Sequence, residues 1–336
     1  MEKTDKAQLL DLFNSLKRFH PYLLHMLVWQ EGETLLDESN PDARLDHETN
    51  LLKIFGKAFL GFMPFMKYPL SDFQGKLKNV RSVTKTITSL LAGAVFQADI
   101  LDRLEDPIRT YFPEIPADDP KASIQLKHLL SNTSGLPSID DFNSIRRLFS
   151  TKNWIRTILR YPLQAEPGQS YLYSSANFHL TTCLLQRTLG SNLLDFAEHN
   201  FFKPLGIADF LWETDPQGIP FGGSDLYLTP EAMLTIGKTC LNKGNWQGKQ
   251  LIPEDWLHVA TSTVVEVNEA DAYGYGWWVD HNRATGCAHT YSACGVGGQR
   301  IIVIPEKETI VVTISLTSLN AHSDVIDDTI GAYFSR

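Results

Sequence analysis

Apolar residues recur at helical spacing across residues 6–19, where Leu9, Leu10, Phe13 and Leu16 align on one face, so a helix is expected there. Leu27-Val28-Trp29 and Thr34-Leu35-Leu36 flank Glu31-Gly32-Glu33 and read as a hairpin. Toward the other end, 275–279 is strand-like, and 301–304 and 310–314 flank the turn Pro305-Glu306-Lys307-Glu308. Asp324–Phe334 then has the pattern of a closing helix. Between these ends, 84–96, 145–159, 178–189 and 230–241 favour helix and are separated by loops bearing Pro and Gly. Strands and helices at both ends, without βαβ alternation, predict an α/β (α+β) class with a mainly antiparallel sheet completed by both termini. The expected organisation is an α/β lobe from residues 1–80 and 245–336. A mostly helical lobe, 81–244, is inserted into it, with the cleft between them as the default site.

Composition narrows this without redirecting it. A chain of 336 residues, 43% hydrophobic and 21% charged, can bury a large core. No apolar run approaches the roughly 18–20 residues of a membrane span; 90–96 and 310–316 read as a buried helix and a buried strand. The net charge is −9 and the cations are scattered, which argues against nucleic acid and anionic membrane surfaces as partners. The segment Met1-Glu2-Lys3-Thr4-Asp5-Lys6 lacks the pattern of a secretory signal, and the 4 cysteines form no CxxC pair, so a cytoplasmic setting is the expectation.

The candidate chemistry begins at Arg81-Ser82-Val83-Thr84-Lys85. On a helix, Ser82, Lys85 and Ser89 share a face beside the apolar stripe of Val83, Ile87, Leu90, Leu91 and Ala94. Ser82 would then lie one turn from the Lys85 amine, at the positive end of the helix macrodipole. A serine hydroxyl is a weak nucleophile until a neighbour takes its proton. Roughly one Ser-x-x-Lys arises by chance in a chain of this length, and a helix-capping serine with an exposed lysine would explain the pair equally well.

Three further segments stand downstream in order: Leu129-Leu130-Ser131-Asn132-Thr133-Ser134-Gly135-Leu136, Pro167-Gly168-Gln169-Ser170-Tyr171-Leu172-Tyr173-Ser174-Ser175-Ala176-Asn177, and Ala293-Cys294-Gly295-Val296-Gly297-Gly298. With Ser-x-x-Lys, the chain resembles the class C β-lactamase-like serine hydrolases of the β-lactamase and penicillin-binding-protein superfamily, over nearly its whole length. The resemblance implies the β-lactamase/D,D-peptidase-like fold. It makes Ser82 the acylated nucleophile, Lys85 its activating partner and Tyr173 the proton shuttle. A tyrosine titrates near 10 in water and acts as a base at neutral pH only beside a cation. The resemblance further implies an oxyanion hole from the backbone N–H groups of Ser82 and Val296. Substrate contacts would come from Ser175, Asn177, Ala293, Cys294 and Gly295.

Two positions depart from that family. Ser175 stands where an asparagine is usual, with Asn177 two residues further on. Ala293 stands where Lys or His would hold a substrate carboxylate. An uncharged or differently charged ester or amide is therefore the expected small-molecule substrate. The alternatives are a non-catalytic ligand-binding protein on the same fold, or a β-lactamase or D,D-peptidase proper. No cofactor or metal is called for: the spacing of His281, Cys287, His289 and Cys294 matches no common zinc site. His128 reads as structural, and Gly222-Gly223-Ser224-Asp225 as a turn ahead of the helix near Pro230. Of Trp277 and Trp278, strand alternation lets only one ring line the pocket.

Overall fold

The strands expected at the two ends of the chain pair with each other. The structure is a computed structural model, described over residues 4–43, 76–269, 271–280, 287, 289–316 and 324–335. Its strands are β1 (Leu23–Gln30), β2 (Glu33–Ser39), β3 (Lys78–Asn79), β4 (Leu211–Trp212), β5 (Leu226–Leu228), β6 (Asn245–Trp246) and β7 (Lys249–Gln250). They continue with β8 (Val265–Glu266), β9 (Asp271–Tyr273), β10 (Trp278–Asp280), β11 (Thr290–Gly295), β12 (Gln299–Ile304) and β13 (Thr309–Ser315). The large sheet runs β2-β1-β13-β12-β11-β10-β9-β8, and every neighbouring pair is antiparallel. Glu31 and Gly32, at φ 47° and 91°, make the two-residue turn between β1 and β2; both left-handed residues suit the twist of a tight hairpin.

The sheet is buried on both faces at β12 and β13, which explains why 301–304 and 310–312 read as apolar runs rather than alternating ones. Ile301, Val303, Ile310 and Val312 point to the main core. Ile302, Ile304 and Val311 point the other way, onto the terminal helices α1 (Lys6–Phe19) and α7 (Asp324–Phe334) through Leu9, Phe13, Leu16, Ile326 and Ile330. The intervening chain supplies α2 (Val83–Phe96), α3 (Phe142–Phe149), α4 (Ser175–Leu189), α5 (Pro230–Leu241) and α6 (Glu254–Ala260). Helix α2 is buried along nearly its whole length, between β11 on one side and α4 and α6 on the other. Helix α5 rests on β1, β12 and β13. No helix among the described residues is long and apolar enough to cross a membrane.

Two expectations on element bounds are corrected. The helix expected over 145–159 is split: α3 ends at Phe149, and a new helix starts at Trp154 because Asn153 caps it, its Oδ1 accepting from the Arg156 N–H at 2.8 Å. The strand expected over 275–279 begins only at Trp278. Gly276 bends the chain at φ 82° so that it can pass α2, where a Cβ would lie 2.9 Å from the Cβ of Ser89. Its carbonyl accepts the Thr86 hydroxyl at 2.6 Å.

Candidate active site

Helix α2 is aimed by the turn before it. Asn79, on β3, accepts the Arg81 N–H at 2.8 Å and donates to Asp225 Oδ1 at 2.8 Å. Arg81 takes φ 54°, a conformation that strains a residue with a side chain, and the chain turns sharply from strand into helix. Ser82 is the N-terminal flanking residue of α2, yet its hydroxyl makes no capping bond. The capping explanation for Ser-x-x-Lys therefore fails, and Lys85 is buried rather than exposed, at 1% accessibility.

Lys85 is held on all sides. Its Nζ donates to Ser82 Oγ at 3.1 Å, Ser175 Oγ at 2.8 Å and the Gly223 carbonyl at 2.8 Å, matching the three donors of an ammonium. The Tyr173 ring lies beside it, 4.6 Å from Nζ to centroid, within the range of a cation–π contact. Ser175 passes the contact on. Its hydroxyl donates to Asp140 Oδ1 and its N–H to Asp140 Oδ2 at 2.8 Å, which leaves the carboxylate 3.9 Å from the amine. A buried cation needs a partner, and Asp140 supplies the counter-charge through Ser175.

Tyr173 is positioned by the Leu129–Gly135 segment. Asn132, buried at φ 58°, accepts the Leu172 N–H on its carbonyl at 2.8 Å and the Ser174 N–H on its side chain at 3.1 Å. Gly135 lets this segment lie against 164–168, since a Cβ there would sit 2.0 Å from the Ala165 carbonyl oxygen. The Tyr173 ring stacks on Trp278 at 6.2 Å and meets Tyr273 edge-on at 6.4 Å. Trp278 is thus the half-buried ring of the tryptophan pair, while Trp277 is fully buried in the core.

Strand β11 closes the site from the sheet side. Gly295 allows the approach: a Cβ there would stand 2.5 Å from the Val80 carbonyl oxygen and 3.0 Å from the Cβ of Arg81. Val296 follows in the turn to β12, 37% exposed. Among the described residues, neither the Ser82 nor the Val296 N–H donates a hydrogen bond within the protein. Ala293, on the same face of β11 as Gly295, is fully buried and brings no charge. Burial pushes the Cys294 thiol up to about 12, which keeps it protonated and unreactive at neutral pH.

The structure brings Ser82, Lys85, Tyr173 and Ser175 together and sets Ala293, Gly295 and Val296 alongside. It does not bring Asn177 to Lys85 or Ser82. That side chain is fully buried, accepting the Ser134 hydroxyl at 2.6 Å and donating to Asn132 at 3.0 Å. Ser89 is likewise buried, its hydroxyl on the Tyr275 carbonyl at 2.6 Å. His128 is structural, its Nδ1 accepting the Gln125 N–H at 3.1 Å. His289 lies against His258, Tyr291 and Thr261 rather than Ser82. His281 lies outside the described residues, and no cluster of three metal-ligating side chains occurs among those described.

Sequence reasoning missed two participants. Asp140 was invisible because it precedes another aspartate: Asp141 caps α3, while Asp140 turns to Ser175. In the sequence Gly223 reads as part of a turn; in the structure its lack of a side chain lets the loop approach Ser175, where a Cβ would fall 2.4 Å from the serine Cβ.

Against known proteins, a Beta-lactamase family model matches residues 76–332. The chain is similar to Protein flp of Staphylococcus aureus (strain COL), 24% identical over 289 residues that cover 75% of this chain and 56% of that protein. It thus spans about half the length of the curated relatives it matches. Among solved structures it is similar to EstCE1, a hydrolase with promiscuous acyltransferase activity, at TM-score 0.74 and 17% identity over 98% of each chain. It is also similar to the penicillin-binding protein homologue from Pyrococcus abyssi, at TM-score 0.70 and 15% identity over 98% of this chain and 77% of that one. At these identities the likeness is one of fold.

Proposed function

This chain belongs to the beta-lactamase family, and from that premise we propose that it is a serine hydrolase cleaving an ester or amide through an acyl-enzyme on Ser82. The observation that carries the reading is the buried Lys85 amine, 3.1 Å from a Ser82 hydroxyl left uncommitted at a helix N-terminus. Because Ser82 Oγ accepts from Lys85, its own hydrogen is free for another acceptor, and Tyr173, acting as the phenolate, is the base proposed to receive it and become the phenol. Ser82 Oγ bonds to the carbonyl carbon as the carbonyl π electrons move onto oxygen, where the Ser82 and Val296 N–H groups would receive the charge. Collapse of this intermediate breaks the bond to the leaving oxygen or nitrogen, which takes the proton from Tyr173. Water then repeats the sequence: it gives its proton to Tyr173, adds to the acyl carbon and displaces Ser82, which recovers the proton. A donor to the oxyanion is typically worth about 10²–10³ in rate and the acid–base group about 10²–10⁴.

The charges favour a substrate without a carboxylate. Ala293 offers no cation, and Asp140 adds a partly exposed negative charge beside Lys85. Penicillins and D-Ala-D-Ala ends, which carry a carboxylate, are accordingly disfavoured. The test is steady-state and burst kinetics with p-nitrophenyl butyrate and nitrocefin. The reading expects an initial burst of p-nitrophenol, turnover abolished in Ser82→Ala, and slow or absent nitrocefin cleavage. Efficient nitrocefin hydrolysis would overturn the substrate preference, and no p-nitrophenol from folded wild-type protein would overturn the enzyme.

A further inference from the structure

The Gly295–Val296 peptide has a cation on its back. Arg300, on β12 and 3% exposed, donates from Nη1 to the Gly295 carbonyl at 2.7 Å and to the Gln299 carbonyl at 3.0 Å. Its Nε and Nη2 grip both oxygens of Asp327, on the closing helix α7, at 2.7 and 2.6 Å. The fork is therefore fixed by a bidentate pair, and only one edge of the guanidinium reaches the strand. A peptide is planar and trans, so its C=O and N–H point in opposite directions. With the Gly295 oxygen held toward Arg300, the Val296 N–H is directed away from it.

We propose that Arg300, anchored by Asp327, is a positioning residue that aims and polarises the Val296 N–H as an oxyanion donor. A positive charge on the carbonyl oxygen draws electron density through the amide and makes the N–H a stronger donor, as in cooperative hydrogen-bond chains. Burial keeps the effect from being screened by water. The Gly295 carbonyl also accepts the Gly298 N–H at 3.3 Å, and the Thr313 hydroxyl donates to the Gly298 carbonyl at 2.7 Å. His20, whose ring packs against Gly298, is held below its ordinary range by burial. Arg300 and Asp327 thus couple the C-terminal helix to the candidate site, although neither touches substrate. This inference rests on the acyl-enzyme reading above.

The test is the carbonyl stretch of the acyl-enzyme, recorded by rapid-mixing infrared difference spectroscopy with p-nitrophenyl butyrate labelled with ¹³C at the carbonyl. An oxyanion hole polarises the acyl carbonyl and lowers its frequency. Wild type should display a band well below that of the same ester in unfolded protein. Arg300→Met should move the band most of the way back and slow acylation by about 5- to 100-fold, short of the roughly 10²–10³ for outright loss of a donor. Arg300→Lys, which keeps a cation, should lie between the two, and carries the comparison if the methionine variant does not fold. Thr313→Val should leave the band in place. A wild-type band and acylation rate in a folded Arg300→Met or Arg300→Lys protein would overturn the inference. Absence of any acyl band in wild type would instead overturn the acyl-enzyme reading, and this inference with it.

Discussion

Gly223→Ala places a single methyl group where the site has no room for it. The added Cβ would lie 2.4 Å from the Cβ of Ser175, 2.7 Å from its Oγ and 2.8 Å from its Cα. Carbon atoms rest about 3.5–4.0 Å apart, so the loop or the start of α4 must retreat by roughly 1 Å. Gly223 φ lies outside the left-handed region, so the penalty is one of contact rather than of backbone conformation. The retreat pulls the Gly223 carbonyl and the Ser175 hydroxyl, each 2.8 Å from Lys85 Nζ, away from the amine they orient. Overpacking of this kind costs about 1–3 kcal/mol, which for a chain of this size lowers Tm by roughly 1–4 °C. A 1 Å misplacement of reacting groups costs on the order of 10²-fold in rate. Labelling by a fluorophosphonate, followed alongside thermal melting, separates the two effects: the rate should fall about a hundredfold while the fold persists. Wild-type labelling in folded Gly223→Ala protein would refute the view that Gly223 sets the position of Lys85.

Ser175→Ala leaves one Lys85 N–H unpaired in a buried site, a loss of about 1–3 kcal/mol. Labelling should slow roughly 10- to 100-fold, and Asp140→Asn should slow it as well, since the amide oxygen can accept only one of the two Ser175 donors and the counter-charge is lost. Ala293→Lys returns a cation to β11. Because a hydrogen bond to a charged group is worth about 1.5–3 kcal/mol, acylation by benzylpenicillin, followed by mass spectrometry, should rise roughly tenfold or more. Away from the site, the Arg187 guanidinium holds the Glu114 carboxyl below the ordinary glutamate range. A depressed folded value means that this stability is present above the unfolded value of 4.5 and is lost as pH falls through the folded one. Arg187→Met should therefore lower Tm at neutral pH and flatten its decline on acidification, measured by melting between about pH 3 and 7.

The elements whose pattern is local were legible in the sequence. Asp324–Phe334 and Pro230–Leu241 begin and end where the apolar spacing puts them, and the turns at Gly32 and Glu308 separate their strands as expected. Ser82 and Lys85 could be paired because three residues on a helix span one turn, a relation that needs no tertiary knowledge. What escaped was set by contacts between distant segments. Asp140 reaches Ser175 across 35 positions, and Gly223 reaches Lys85 across 138. Asn177 shows the converse. The family resemblance implies a substrate contact for its amide, but α4 turns it toward Ser134 and Asn132, and Ser175 takes the place beside Lys85. Spacing alone could not distinguish the two, since both follow Tyr173 closely and only the start of α4 decides which one faces Lys85.

The central claim, an activated Ser82, is tested most directly by intact-mass spectrometry after incubation with a fluorophosphonate, comparing wild type with Ser82→Ala and Tyr173→Phe. The account predicts a single adduct on wild type, none on Ser82→Ala, and formation slowed by about 10²–10⁴ on Tyr173→Phe. An unlabelled, folded wild-type protein, or an adduct that persists in Ser82→Ala, would contradict it.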